Sequence, residues 1–224
     1  VSKISNILIN QQYTKKNFKL ICIIPILSPL KLNGDYVVKK ILKELLKIKK
    51  IKKIFVVCND RKLKNEVKDE NILFLKRNRK IEKDYLGSDY ILKETYINKI
   101  KTKYKPSHVL TIEEIYLFRP KNFFQKLIEN IDDNFDSLVP ICQIKKNNIW
   151  KKNTKGELNS IYKTTIPSSI LKNSIYQEVK WLGVITKSLN FENNGRENSN
   201  TKFFEVDTKY SFKLDNFIKK YLKS

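Results

Sequence analysis

Leu20-Ile21-Cys22-Ile23-Ile24-Pro25-Ile26 is an unbroken apolar run in a lysine-rich chain. Continuous rather than alternating hydrophobicity marks a strand buried on both faces of a parallel sheet. Downstream, Gly34-Asp35 opens a segment from Tyr36 to Ile48. There Val37, Val38, Ile41, Leu42, Leu45, Leu46 and Ile48 recur at helical spacing with lysines between them. Ile54 to Cys58 is a second buried strand, ended by Asn59-Asp60, and a short helix follows over Arg61 to Val67. Ile72 to Leu75 is a third strand. Ser88 suits the N-cap of a helix running through Ile100. His108 to Ile112 is a fourth strand. The next helix is expected to start at Pro120, because proline's missing N–H costs nothing at the first helical position. Ser137 to Ile144 is a fifth strand.

Beyond residue 144 the pattern loosens. Asn147-Asn148-Ile149-Trp150, Lys155-Gly156-Glu157 and Pro167-Ser168-Ser169 suit turns between short extended pieces. Trp181 to Thr186 and Phe203 to Val206 are strands, Asn193 to Asn200 is a polar loop, and Phe212 to Leu222 is a closing amphipathic helix. The fold class is therefore α/β. It is a Rossmann-like three-layer sandwich with a mostly parallel central sheet and a mixed-strand second half. Residues 1–18 form a polar extension, 19–224 a single domain, and 146–200 its less regular part. No internal repeat is present.

Composition narrows the function classes. The formal charge is +23, but 41 of the 46 basic residues are lysines; the arginines are Arg61, Arg77, Arg79, Arg119 and Arg196. Nucleic-acid readers favour arginine for bidentate contacts, and here the lysines are spread along the chain. A lysine-coated surface that attracts anions is the main reading, and a lysine-rich RNA-binding domain the third-ranked function. Cys22, Cys58 and Cys142 are odd in number and far apart, which fits small buried hydrophobes of a reducing compartment. A single histidine, His108, leaves no basis for His-rich metal chemistry and reads as structural. No apolar run approaches a membrane span, and no cleavable signal pattern opens the chain, so a cytoplasmic location is expected. The chain begins with Val and has no Met, which fits a non-standard start or a truncated amino terminus.

Thr111-Ile112-Glu113-Glu114-Ile115-Tyr116-Leu117-Phe118-Arg119-Pro120 carries the most site-like chemistry. It delivers two carboxylates and an arginine to the carboxyl end of a strand, where open α/β sheets bind ligands. Successive strand residues point oppositely, so at most one of Glu113 and Glu114 is expected in the site.

The ordered set of segments resembles the nucleotide-sugar cytidylyltransferases, the acylneuraminate and acidic-sugar CMP-transferases of the nucleotide-diphospho-sugar transferase fold. Ile23-Ile24-Pro25 resembles their first strand, Leu32 to Val37 the opening of the first helix, Val56 to Asp60 the second strand and its exit, and Phe74 to Arg77 the third. Leu117-Phe118-Arg119-Pro120 resembles their Pro-Leu-Arg or Pro-Phe-Arg element, and Asp136 to Val139 the next strand. Ile149 to Lys152, Tyr176 and Trp181-Leu182-Gly183 resemble the later dimerisation and sugar-binding region. Two pieces depart from the family. Its basic glycine-rich loop is replaced by Ile26-Leu27-Ser28-Pro29-Leu30-Lys31, and its acidic pair before the last helix leaves only Asp207 and Asp215.

The resemblance implies CMP transfer from CTP to an acidic sugar for surface glycan synthesis, with Mg²⁺ as cofactor and a homodimer as the assembly. It places Ser28 and Lys31 on the phosphates, Asp60 and Arg77 near the nucleotide, and Glu113, Glu114 and Arg119 on the acceptor substrate. Asp207 and Asp215 are the metal candidates. No catalytic base is assigned. The alternative is a catalytically degenerate relative that binds a sugar or a protein.

Overall fold

The computed structural model describes residues 19–77, 88–114, 119–132, 134–144, 150–152, 158–160, 175–194 and 200–207. In chain order, the first half holds β1 (Leu20–Pro25), β2 (Lys31–Leu32), β3 (Asp35–Tyr36), α1 (Val37–Leu46), β4 (Ile51–Val57), α2 (Arg61–Glu66) and β5 (Ile72–Leu75). Helix α3 (Ser88–Thr95) continues through a π-helical turn, Tyr96–Lys101, to Thr102–Tyr104. Then come β6 (His108–Thr111), α4 (Phe123–Glu129), β7 (Ser137–Ile144), β8 (Trp150–Lys152), β9 (Leu158–Ser160) and β10 (Ile175–Glu178). A 3₁₀ turn, Lys180–Leu182, leads to β11 (Val184–Lys187), α5 (Ser188–Asn194) and β12 (Thr201–Val206).

The main sheet runs β10-β7-β11-β6-β1-β4-β5, with β12 on the far side of β7. β5, β4, β1 and β6 are parallel neighbours; β11 is antiparallel to both β6 and β7. β12 runs parallel to β7, from Thr201 opposite Ser137 to Val206 opposite Cys142. The expected mostly parallel α/β sandwich with a mixed second half is what the chain adopts.

The period of two in β1 sorts its side chains between two cores. Leu20, Cys22 and Ile24 pack with Val38, Ile41, Leu42 and Leu45 of α1, and with Phe123, Phe124, Leu127 and Ile128 of α4. Ile21 and Ile23 point to the other face, against Ile91, Leu92 and Tyr96 of the α3 region and Phe191 of α5. All five residues Leu20–Ile24 are at most 2 % exposed, so the continuous apolar run is explained by burial on both faces. Among the described residues no helix is long and apolar enough to cross a membrane.

Four local expectations need correction. The Leu32–Val37 segment does lead into the first helix, but by way of a hairpin over 31–36. Lys31 faces Tyr36 and Leu32 faces Asp35 across Asn33 and Gly34, whose φ values are 50° and 85°. That is the two-residue turn for which Asn-Gly is the preferred pair. The helix therefore begins at Val37.

The helix after residue 119 starts at Phe123, not Pro120. A turn with the Phe123 N–H on the Pro120 carbonyl at 3.0 Å, and Asn122 left-handed at φ 58°, comes first. Trp181 lies in the 3₁₀ turn rather than a strand, and β11 starts only at Val184. Part of the expected polar loop over 193–200 belongs to α5, which ends at Asn194. The expected closing helix over 212–222, the turn at 167–169 and the 1–18 extension lie outside the described residues.

Gly183 joins the 3₁₀ turn to β11 at φ 149°, ψ 135°, a conformation other residues adopt only under strain. A Cβ there would sit 3.4 Å from Leu110 Cδ1 and 3.5 Å from Phe123 Cε1, ordinary contact distances, so backbone strain is the main cost. Gly183→Ala is expected to destabilise the chain by about 1–3 kcal/mol, read as a lower urea midpoint with unchanged slope.

Candidate functional site

Parallel pairing aligns the carboxyl ends of β5, β4, β1 and β6 along one edge of the sheet. The chain leaves β1 at Pro25 and, after Ile26 hydrogen-bonds to the Val57 carbonyl at 3.0 Å, runs into an exposed loop. Leu27, Ser28 and the tip of the β2–β3 hairpin are exposed. The loop then feeds α1, with the Val37 N–H on the Leu30 carbonyl at 3.0 Å.

Tyr36 gathers Lys31 and Asp60. Its ring is buried, Lys31 Nζ stands 4.2 Å from the ring centroid, and its hydroxyl lies 3.5 Å from Asp60 Oδ1. Asp60 also caps α2, accepting the Leu63 N–H at 2.7 Å. Asn59 beside it holds the exit of β5. Its Oδ1 accepts the Arg77 N–H at 2.9 Å, and its Nδ2 donates to the Arg77 carbonyl at 3.2 Å. Lys31, Asp60 and Arg77 are thus tied to one edge of the sheet. Ser28 lies exposed on the same loop as Lys31.

Glu113 and Glu114 lie past the end of β6, and their side chains differ in burial. Glu114 turns inward and is 4 % exposed, whereas Glu113 is half-buried. Glu114 Oε1 accepts the Leu30 N–H at 3.1 Å and so anchors the loop just before the β2–β3 hairpin. Burial lifts its pKa to about 7, and the neighbouring Leu30 and Val38 N–H groups oppose that rise.

Arg119 serves the opposite side. Its Nε donates to the Leu182 carbonyl at 2.8 Å, one terminal nitrogen donates to the Glu113 carbonyl at 2.9 Å, and its guanidinium lies 5.2 Å from the Phe124 ring centroid. It ties the exit of β6 to the 3₁₀ turn before β11. His108 begins β6 at the opposite edge of the sheet, buried, with Nδ1 3.0 Å from Ser107 Oγ. Its placement away from the crevice fits a structural role.

For Mg²⁺, the described carboxylates do not make a seat. Glu114 and Asp60 accept backbone N–H groups, Asp207 is exposed just past β12, and Asp215 lies outside the described residues. Among the described residues no three His, Cys, Asp or Glu side chains converge on one point.

Sequence reasoning missed Tyr36, Asn59 and the hairpin. The Asn33-Gly34 pair was the available signal for the hairpin. The other two had none, because their roles arise only when β4, β5 and the loop come together.

No known family profile matches the chain, and no curated protein sequence matches it. Solved structures do. A 4-diphosphocytidyl-2C-methyl-D-erythritol synthase superposes with a TM-score of 0.64 at 11 % identity, over 92 % of this chain and 99 % of that one. The enzyme of the same name from Anaerococcus prevotii gives 0.62 at 14 % identity, over 93 % and 100 %. The chain shares the α/β fold of these synthases. A CMP:2-keto-3-deoxy-manno-octonic acid synthetase complexed with CTP adds a third likeness, at 0.57 and 12 % identity over 85 % and 90 %. At these identities the likeness is one of fold.

Two outcomes follow. Arg119→Ala removes a charged donor from the Glu113 and Leu182 carbonyls and is expected to cost about 2 kcal/mol in urea unfolding. A raised carboxyl pKa favours the neutral form in the folded state, so the stability it contributes is present below the ordinary value of 4.5 and is lost as pH rises to about 7. Relative to Glu114→Gln, the wild-type chain should lose up to about 1.4 kcal/mol per pH unit across that window. Above it the difference should be flat, as followed by denaturation at stepped pH.

Proposed function

We propose that the chain is a nucleotidyltransferase that moves CMP from CTP to an acidic sugar for surface glycan synthesis. A sugar hydroxyl attacks the α-phosphorus, a P–O bond forms, and pyrophosphate leaves with the bond it shared with that phosphorus. Catalysis of this kind is mostly positioning and charge neutralisation.

The observation that carries the reading is the placement of the loop after β1. An exposed loop bearing Ser28 and Lys31 leaves the central strand at the carboxyl edge of a sheet that superposes along almost its whole length on cytidylyltransferases. In this reading Lys31 and the Ser28 hydroxyl meet the phosphates, and Asp60 and Arg77 flank the nucleoside. Glu113 lies on the acceptor side. Arg119 shapes that wall by fixing the Glu113 carbonyl against the Leu182 carbonyl. The net charge of +23 favours an anionic acceptor.

A second reading is a sugar- or protein-binding relative without catalysis. It is favoured by the use of Asp60 as a cap and of Glu114 and Arg119 as backbone ties.

Calorimetric titration of CTP, with and without Mg²⁺ and at two salt concentrations, separates the readings when ATP is the control. The transferase predicts selective CTP binding that Lys31→Ala weakens, and pyrophosphate release once an acidic sugar is added. Equal, salt-sensitive heats for both nucleotides would overturn the CTP assignment. Sugar binding with no pyrophosphate release would select the binding module.

A further inference from the structure

Two backbone donors bracket the β2–β3 hairpin: the Leu30 N–H just before it and the Val38 N–H just after it. The first is bonded at 3.1 Å to a side chain from another part of the chain, the buried carboxylate of Glu114, 84 residues away in sequence, and the second lies close enough to that carboxylate to favour its charged form. The hairpin itself holds only two facing pairs, Lys31 with Tyr36 and Leu32 with Asp35, and its strands are two residues each. A ribbon that short is not stable alone in water. Its outer residues, Lys31 to Asp35, are exposed and add little packing. What fixes its base is the buried Tyr36 ring, the Val37 N–H bond to the Leu30 carbonyl, and the Glu114 carboxylate.

We propose that Glu114 is the positioning residue of the loop after β1. By accepting the Leu30 N–H at the base of the hairpin it anchors the ribbon at the carboxyl edge of the sheet, with Lys31 held over the bound polyphosphate. This role differs from contact with the acceptor sugar, because the carboxylate is turned away from solvent and toward the loop backbone. It deepens the nucleotidyltransferase reading and rests on it for the ligand, though the lock itself does not.

The test compares wild type with Glu114→Gln and Glu114→Ala. Glutamine keeps the shape and one acceptor oxygen. Alanine leaves the Leu30 N–H without its partner.

The first measurement is amide hydrogen exchange resolved over 26–38. Glu114→Ala should exchange faster there by about 10-fold or more, the value of one hydrogen bond to a charged group, with β4 and β7 unchanged. Glu114→Gln should fall between alanine and wild type. Unchanged exchange over 26–38 in folded Glu114→Ala, or equal acceleration across β4 and β7, would overturn the lock. If alanine fails to fold, the glutamine protein alone decides on the same peptides.

The second measurement is CTP turnover with an acidic sugar. A positioning role predicts that the loss falls mainly on KM for CTP, with KM for the sugar unmoved and glutamine restoring part of it. A loss confined to the sugar KM would return Glu114 to the acceptor site and overturn the proposal. Should wild type bind no CTP, the nucleotidyltransferase reading fails, while the exchange result still decides the lock.

Discussion

β1 hydrogen-bonds to β4 on one side and to β6 on the other, and Leu20–Ile24 are withdrawn from water on both faces. A strand held on four sides has one free direction, and its exit must turn at the sheet's carboxyl edge. The register continues past β1 itself: the Ile26 N–H meets the Val57 carbonyl, and the Ile112 N–H meets the Ile23 carbonyl at 3.2 Å. The exits of β4 and β6 therefore stand to either side of the loop. Asp60 reaches it from one side and Glu114 from the other. The contents of the crevice follow from strand pairing far more than from any attraction between the site residues.

What could be read in the sequence was what burial writes locally. The apolar run of β1, the helical spacing of Val38, Ile41, Leu42 and Leu45, and the Asp60 cap each leave a signature within a few residues. The misplacements arose where a local signal competed with a distant demand. Pro120 is a good first helical residue, yet the chain turns again at Asn122 so that Phe123 and Phe124 enter the core beside Leu110 and Leu182. Trp181 and Leu182 look strand-like, yet the chain must first pass Gly183 at a positive φ before β11 can pair with β6. Thr111 and Val184 meet across 73 residues, a register that no local pattern encodes.

The candidate site was legible in kind and less so in role. In the sequence Glu113 and Glu114 read as strand residues, but β6 ends at Thr111, and the burial of Glu114 comes from the turn that follows and from its bond to the Leu30 N–H. The arginine before Pro120 sits beside the crevice, where its fork spans two carbonyls from different elements. A charged group in a sequence motif advertises a position. Its task is set by the unsatisfied backbone groups that the fold happens to bring within reach.

The three cysteines carry a practical consequence. Cys22, Cys58 and Cys142 are all buried, and burial raises each thiol above its ordinary range. Alkylating agents and peroxides attack the thiolate, so the folded chain is chemically quiet toward both. A cysteine introduced at exposed Leu27 would be the single reactive handle on the molecule. A dye attached there would report from the rim of the crevice without removing the native cysteines.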